Sequence, residues 1–409
     1  VQEAVDLGLQ NSLQIKVTQN QTQIASNRNT AGNAGFLPRA SVAGSVNSSI
    51  NNTRQSFLNG EENNRAGASN TSARVGAEVS WTAFDGFQMF ATRDRLDLEE
   101  QRTRSFTERA RQELAADIQT AYYGLVRLRQ QIANTEQSIE LNVALQELAQ
   151  NKLRIGTGTR LEVLQTTNRV NADSSQLLNL QDQFAQARIS FNRLLNRDAQ
   201  TGFDVPAQIP DVVLPTREQL TDRAIQQNYD LQLLNFDERI ALTQIREARA
   251  ALYPSLDLFA SYDYNFSRSE AGFLLSNRSF GPTAGVSASY DIFAGRSIKK
   301  EVQNAELIKD NIRLNKEDLI QQIRADVATL YQQYQALQEL LVIETRNVET
   351  AEQNTALAQR LYQSGRATNF DVREAILQET LVKDRLSDVQ LRKKLTEIEL
   401  KNLAGIRLY

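Results

Sequence analysis

Cysteine and histidine are both absent from the 409 residues of this chain. Without thiols there are no disulfides, no thiolate nucleophile and no zinc–sulfur site. Without imidazole the commonest metal ligand and the commonest general base at neutral pH are missing too. Proline is sparse: Pro38, Pro206, Pro210, Pro215, Pro254 and Pro282 are the six, which leaves long stretches free of the residue that breaks helices. Charge of one sign is also lacking, since 46 basic and 49 acidic residues leave a net charge of −3. No basic cluster interleaved with aromatics offers a surface to nucleic acid. No apolar run approaches the ~18–20 residues of a membrane-crossing helix. No nucleotide-binding fingerprint or catalytic triad is present. Catalysis, metal sites and cofactors are not expected. The chain opens at Val1 rather than methionine, which is compatible with a removed signal segment that these residues do not themselves show.

What is present instead is periodicity. Between Arg296 and Leu361, apolar residues recur at Ile320, Ile323, Val327, Leu330, Tyr334, Leu337 and Leu341, with Val348 one heptad on. Steps alternating three and four form the a/d seam of a coiled coil. At 1.5 Å per residue such a helix is ~100 Å long, more than one compact core requires. The turn Ser364-Gly365-Arg366-Ala367-Thr368 ends it.

The same pattern occurs 209 residues earlier, the spacing of Gly365 from Gly156. At that offset Thr368 falls on Thr159, Asp371 on Glu162 and Val372 on Val163. Ile323, Val327, Leu330, Leu337 and Leu341 fall on Leu114, Ile118, Ala121, Leu128 and Ile132; Gly295, Phe293 and Tyr290 fall on Gly86, Phe84 and Trp81. Matching residue types at one constant offset read as an internal duplication. The first repeat, 1–197, is expected to run as a helix to about Ala34, a β-hairpin over 40–84, a long helix over 87–155 and a shorter helix over 161–195. Residues 198–216 hold three of the six prolines and read as the linker. The second repeat, 217–409, runs as a helix to about Ala251, a hairpin over 255–293, a long helix over 296–363 and a helix over 369–403. In each half the two shorter helices together approach the long one in length and are expected antiparallel beside it.

Alternation marks the strands. Val75, Ala77, Val79 and Trp81 share one face; Arg74, Gly76, Glu78 and Ser80 share the other. Leu256, Leu258, Ala260, Tyr262 and Tyr264 lie opposite Asp257, Ser261, Asp263 and Asn265. The last strand sets Ala284, Val286, Ala288, Tyr290 and Ile292 against Thr283, Ser287, Ser289 and Asp291. Strands of ~10 residues are expected, the length that crosses a bilayer as part of a barrel. The Asn/Ser/Gly-rich residues 47–72 read as a loop, as do those from about 267 to Gly281. One hairpin per half buries little by itself. A soluble sandwich fits this alternation, and so does a membrane barrel with lipid on the apolar face and a watery lumen on the polar one. Trp81, Phe84, Tyr290 and Phe293, at the ends nearest the long helices, suit a barrel's aromatic girdle. Long helices joined to both ends of the hairpins favour a device that spans a distance. A soluble periplasmic coiled-coil scaffold or adaptor is the alternative.

The order of elements, the duplication, Phe36-Leu37-Pro38 with Leu252-Tyr253-Pro254, Ile292-Phe293-Ala294-Gly295, and the two Gly-x5-Asp/Glu-Val turns resemble TolC-type outer-membrane efflux and secretion channels across essentially the whole chain. The resemblance implies a mixed α and β membrane protein in which three copies give four strands each to one twelve-stranded transmembrane β-barrel above an antiparallel helical coiled-coil barrel. It implies an exit duct of a tripartite efflux or type I secretion system, lodged in outer-membrane lipid and reaching through the periplasm. A periplasmic adaptor and an inner-membrane transporter are the implied partners. The lack of cysteine fits the branch without a lipid anchor, unless a lipidated residue preceded Val1.

The turns carry the candidate site. Thr159 with Glu162, and Thr368 with Asp371, have the spacing of capping boxes, and Gly156 and Gly365 suit positive-φ turns between antiparallel helices. Asp371 and Glu374 are three apart on one helix face; in a trimer they would ring the tunnel mouth with carboxylates, which favour cations. The resemblance places Asp371 and Glu374 at the family's acidic constriction, and Tyr362 and Glu162 among the contacts that hold the entrance shut. Arg366 stands one residue from the family's usual arginine. The resemblance makes the turns at Gly156, Thr159, Gly365 and Thr368 the docking surface for adaptor hairpins and makes opening an iris-like rotation of the inner helix pair. Tyr122, Tyr123, Tyr331 and Tyr334 read as coiled-coil packing.

Overall fold

The structure, a computed structural model, describes residues 1–58, 60–271 and 274–409. The elements follow in the order α1 (Gln2–Asn11), α2 (Leu13–Arg28), β1 (Arg39–Ser56), β2 (Glu62–Asp85), α3 (Gln88–Arg154), α4 (Arg160–Leu194), α5 (Arg217–Gln227), α6 (Tyr229–Ala250), β3 (Ser255–Ser269), β4 (Ser276–Ser289), α7 (Ser297–Gln363) and α8 (Asn369–Leu403). α3 and α7 are each 67 residues long and α4 and α8 each 35, so one succession of elements occurs twice with matched helix lengths.

The helix expected at the start of each half is two helices. Ser12 and Asn228 leave helical geometry with ψ of 122° and 128°. The Ser12 amide still closes α1 on the Gly8 carbonyl, while its Oγ accepts from the Ile15 amide at 3.2 Å. Asn228 does the same work: its amide donates to Ala224 O, and its Oδ1 accepts from the Asp230 and Leu231 amides. One side chain thus ends one helix and caps the next. Either residue also passes for an ordinary polar position in an amphipathic helix, so periodicity alone ran through the break. α2 and α6 end at Arg28 and Ala250, the first of them short of the expected Ala34.

The chain divides into two compact units. Val1–Asn20, Arg104–Leu234 and Asn315–Tyr409 form a helical unit. Its heptad positions Ile323, Val327, Tyr334 and Leu337 are buried, and the seam runs on through Thr355, Ala358 and Tyr362. α7 packs there on Leu220, Ala224 and Leu231 of α5 and α6 and on Leu400 of α8. The corresponding core around α3 joins Val5 of α1, Ile118, Leu125 and Val126 to Phe191 and Leu195 at the end of α4. Each such aliphatic side chain, fully buried, contributes about 1.5–3 kcal/mol, against roughly 0–1 kcal/mol for an exposed ion pair; the seams hold this unit. Tyr123 and Tyr334 are buried in these cores, with Tyr122 and Tyr331 packed against them. The linker is irregular and tied down by Lys393 Nζ to Asp211 at 2.7 Å and by the Tyr334 hydroxyl donating to Val212 O at 2.8 Å.

Gln21–Thr103 and Asn235–Leu314 form the second unit. Its helical part is laced by ion pairs such as Arg95–Glu247 at 2.9 Å and Arg249–Glu306 at 2.7 Å. Its strands make one antiparallel sheet in the order β1-β2-β3-β4, with β2 and β3 joining the two hairpins. Val42, Ala77, Tyr262 and Pro282 form one cross-strand row, and Gly44, Val75, Tyr264 and Phe280 another on the same face. The opposite face carries Ser45, Arg74, Asn265 and Ser279 in one row and Ala43, Gly76, Asp263 and Gly281 in the next. Pro282 stands opposite Tyr262 on β4, the last strand of the sheet, the kind of strand in which proline occurs.

The strands are 18, 24, 15 and 14 residues long, not ~10 as the barrel-strand length suggested. Most of the expected loop over 47–72 is β1 and β2. Asn51↔Ala68, Asn47↔Ser72 and Ser45↔Arg74 are ladder partners there. Backbone pairing needs no apolar side chains, so Asn/Ser/Gly composition concealed it. β4 also stops at Ser289, leaving Tyr290 and Ile292 outside the strand in which alternation had placed them. Residue 59 of the first expected loop and residues 272 and 273 of the second lie outside the described residues.

Candidate functional site at the helix tips

α3 and α4 meet in one tight turn, and α7 and α8 in another. At the first, Gly156 adopts φ 79°, and the Thr157 and Gly158 amides both return to Lys152 O at 2.9 and 3.0 Å. At the second, Gly365 adopts φ 75°, and the Arg366 amide donates to Leu361 O at 2.8 Å. These bonds satisfy the last carbonyls of each long helix, and the left-handed residue that turns the chain is glycine because a Cβ is strained there.

Both capping boxes form. Thr159 and Thr368 are N-caps whose side chains accept from the Glu162 and Asp371 amides, and those carboxylates accept in return from the threonine amides at 2.9 and 2.8 Å. The Thr368 hydroxyl also donates to Asp371 Oδ2 at 2.7 Å. That hydroxyl, then the Thr368 amide, holds the Asp371 carboxyl below the usual aspartate range. Asp371 is exposed, as is Glu374, which accepts from Gln378 at 2.8 Å. Arg366, Phe370, Asp371 and Glu374 line one open depression with Leu357 and Leu361. No ion pair joins Arg366 to Glu162 among the described residues; Glu162 is engaged in its own cap.

Tyr362 is buried, 2 % exposed, although it lies one residue before the end of α7. It stands among Leu145 of α3 and Val372, Ala375 and Ile376 of α8. Lys152 comes from the other hairpin: its ammonium lies 3.6 Å from the Tyr362 ring centroid and donates to Tyr362 O at 2.6 Å. The Tyr362 hydroxyl and both amide atoms of Asn369 are buried without a hydrogen bond of ordinary geometry. Burial pushes the phenol up, the adjoining Asn369 amide draws it partly back, and the Glu162 charge adds to the rise. Arg373 Nη1 donates to Gln165 Oε1 at 3.0 Å, a second tie between the hairpins.

Further along α8, Lys383 lies between Glu352 and Glu379 at 2.8 and 2.7 Å and donates to Gln137 of α3 at 3.0 Å. Asn134 donates to Asp384 at 3.0 Å, and Arg127 pairs with Asp388. α8 is therefore fastened to α3 of the other half by polar contacts that can be exchanged, rather than by an apolar seam alone.

The structure thus gathers Arg366, Asp371 and Glu374 on one surface. It makes Thr159 and Thr368 internal caps rather than free hydroxyls. Lys152, Gln165, Asn369 and Arg373 had no sequence signal. At the repeat offset Lys152 faces Leu361, and no spacing rule pairs residues 210 positions apart.

The comparisons with known proteins bear on the whole chain. Solved outer-membrane channels share its fold. VceC of Vibrio cholerae superposes with a TM-score of 0.77 at 18% identity, covering 99% of this chain and 95% of that one. CmeC of Campylobacter jejuni gives 0.75 at 16%, covering 99% and 85%. The open-state MtrE channel of Neisseria gonorrhoeae gives 0.74 at 17%, covering 99% and 89%. In sequence, 295 residues, 71% of this chain, align at 21% identity with the multidrug resistance outer membrane protein MdtP of Escherichia coli K12, spanning 60% of that protein. The outer membrane efflux protein family matches residues 4–197 and 220–406. The chain belongs to the outer membrane efflux protein family.

Proposed function

We propose that the chain is a passive exit duct that carries cargo from an inner-membrane transporter and its periplasmic adaptor out through the outer membrane, in efflux or type I secretion. One observation carries this reading: among the described residues the sheet leaves both edges, β1 and β4, unpaired and has one exposed apolar face. Val42, Val46, Phe280 and Val286 are 78, 75, 70 and 65 % exposed on one side, while Arg74, Glu78 and Asp263 occupy the other. An edge strand left open is a site of aggregation. Three copies closing β4 on the next β1 remove every edge, put the apolar face in lipid and surround a polar lumen.

The helices then line the periplasmic tunnel, and the paired tips form its gate. Asp371 and Glu374 of three chains ring the mouth. Lys152, Tyr362, Gln165 and Arg373 hold one hairpin against the other in the closed state, and adaptor hairpins dock at the turns of Gly156 and Gly365. Opening moves α7 and α8 by releasing those ties. The duplication of the chain gives each copy two similar hairpins with different partners, so one pair moves against the other. Detergent-purified protein should run as a trimer and raise the conductance of a planar bilayer. Monomeric material, soluble without detergent and inert in the bilayer, would overturn the duct.

A further inference from the structure

The polar face of the sheet holds one residue that does not belong there by character. The registers place Arg39, Ser80, Phe259 and Gly285 in a single row across the four strands. Phe259 therefore shares its face with Asp257, Ser261 and Asp263, and with Arg74, Glu78 and Thr82 of β2. On that face of the regular ladder every other β3 and β4 position, from Asp257 to Ser267 and from Ser279 to Ser289, is Asp, Asn, Ser, Thr or Gly.

The ring does not stand off the sheet. A Cβ built on Gly285 would lie 2.5 Å from Cζ and 2.7 Å from Cε1 of Phe259, so the phenyl group lies across the β4 backbone in the space a side chain would fill. One side of the ring is packed on the glycine and the side chain stays 37 % exposed. Two carboxylates of the same strand and face are engaged: Asp257 accepts from Thr82 at 2.6 Å, and Asp263 pairs with Arg74 at 3.0 Å. An aromatic ring over a cross-strand glycine supports a sheet. Support alone would be served as well on the apolar face, where burial in lipid costs nothing. On the polar face the ring forfeits part of the benefit of burial.

We infer that Phe259 is a lumen residue: three copies set the bore of the duct at this level and offer passing cargo an apolar aromatic surface between carboxylates, with Gly285 as the seat that holds each ring against the wall. This rests on the barrel reading above. It makes the polar wall a mixed one, suited to amphipathic organic molecules that present an apolar face, which the aromatic ring can contact while water and the neighbouring polar groups solvate the rest.

The absence of cysteine supplies the test, because Phe259→Cys carries the chain's sole thiol. The full-length trimer carrying Lys152→Met, so that the tips do not limit the current, is treated in proteoliposomes and planar bilayers with a small charged, membrane-impermeant methanethiosulfonate. F259C should be modified with a stepwise loss of current, whereas Tyr262→Cys, on the apolar face, should be neither modified nor blocked. In that background Phe259→Ala should conduct more than the chain that keeps the ring. Gly285→Ala should conduct less, because its methyl group lifts the ring from its seat, and the double variant should return to the level of F259A. An unreactive F259C in a conducting trimer, or modification that leaves the current unchanged, overturns the inference and leaves the duct standing. A wild-type chain that forms no channel overturns both.

Discussion

Lys152, at the end of α3, places its ammonium 3.6 Å above the ring of Tyr362, two residues before the turn that ends α7, and bonds to that residue's own carbonyl at 2.6 Å. Two hairpins more than 200 residues apart in the chain are thereby joined at their tips by one flexible side chain. A cation over an aromatic ring is worth about 0.5–2 kcal/mol depending on desolvation, and the carbonyl bond adds about 1 kcal/mol. Together they are comparable to the burial of one aliphatic side chain in the seams of this unit.

Lys152→Met should keep the aliphatic stem and remove the charge. Unfolding by denaturant should then show a loss of about 1–2 kcal/mol. The bilayer conductance of the resting trimer should rise. An unchanged conductance would separate the Lys152–Tyr362 contact from the gate and leave it a packing contact.

Thr368→Ala removes the N-cap of α8 and should cost about 1 kcal/mol. It also removes the hydroxyl that most depresses the Asp371 carboxyl. Because the folded value lies below the unfolded one, the stabilisation from this group is fully present above the unfolded value of about 4 and is lost as pH falls through the lower, folded value. NMR titration of Asp371 should move upward in the variant, and the acid limb of the stability curve should flatten.

Asp384 shifts the other way. Burial raises its carboxyl most; the Asn134 bond opposes that, Asp388 adds to it, and Arg127 opposes it. A carboxylate raised on folding binds protons more tightly in the native state, so its contribution to stability grows as pH falls through the folded value. Asp384→Asn should therefore raise the melting temperature at pH 7, and the gain should shrink on acidification toward about pH 4. A melting temperature unchanged at pH 7 would contradict a half-buried, ionised carboxylate there.

Replacing both Asp371 and Glu374 with alanine should weaken cation selectivity and divalent-cation block in planar bilayers, since a ring of carboxylates is what binds cations at a narrow mouth. Selectivity and block equal to wild type would move those two residues away from the conduction path.

Much of this was legible in the residues. The heptads of α3 and α7 mark out two long helices, over 87–155 and 296–363 by sequence and 67 residues each in the structure, because a coiled-coil seam repeats for as long as the helix does. Gly156, Gly365 and the Thr–x–x–Glu/Asp spacings located both tips, since positive φ and capping are local demands met by few residue types. The breaks at Ser12 and Asn228 were hidden because a capping residue in mid-pattern looks like any polar position. The polar halves of β1 and β2 were hidden because ladder hydrogen bonds leave no trace in composition. Phe259 carries no sequence signal because alternation groups residues by polarity, and this ring lies with the polar set.

What the sequence determined by itself is local or periodic: which segments are helical, where they turn, and which strand face is apolar. The tertiary structure alone decided which distant residues meet. Lys152 over Tyr362, Arg373 on Gln165 and Phe259 across Gly285 all depend on the register between separate elements. That register is set by the summed packing of whole seams and ladders, so no pair of residues announces it in advance.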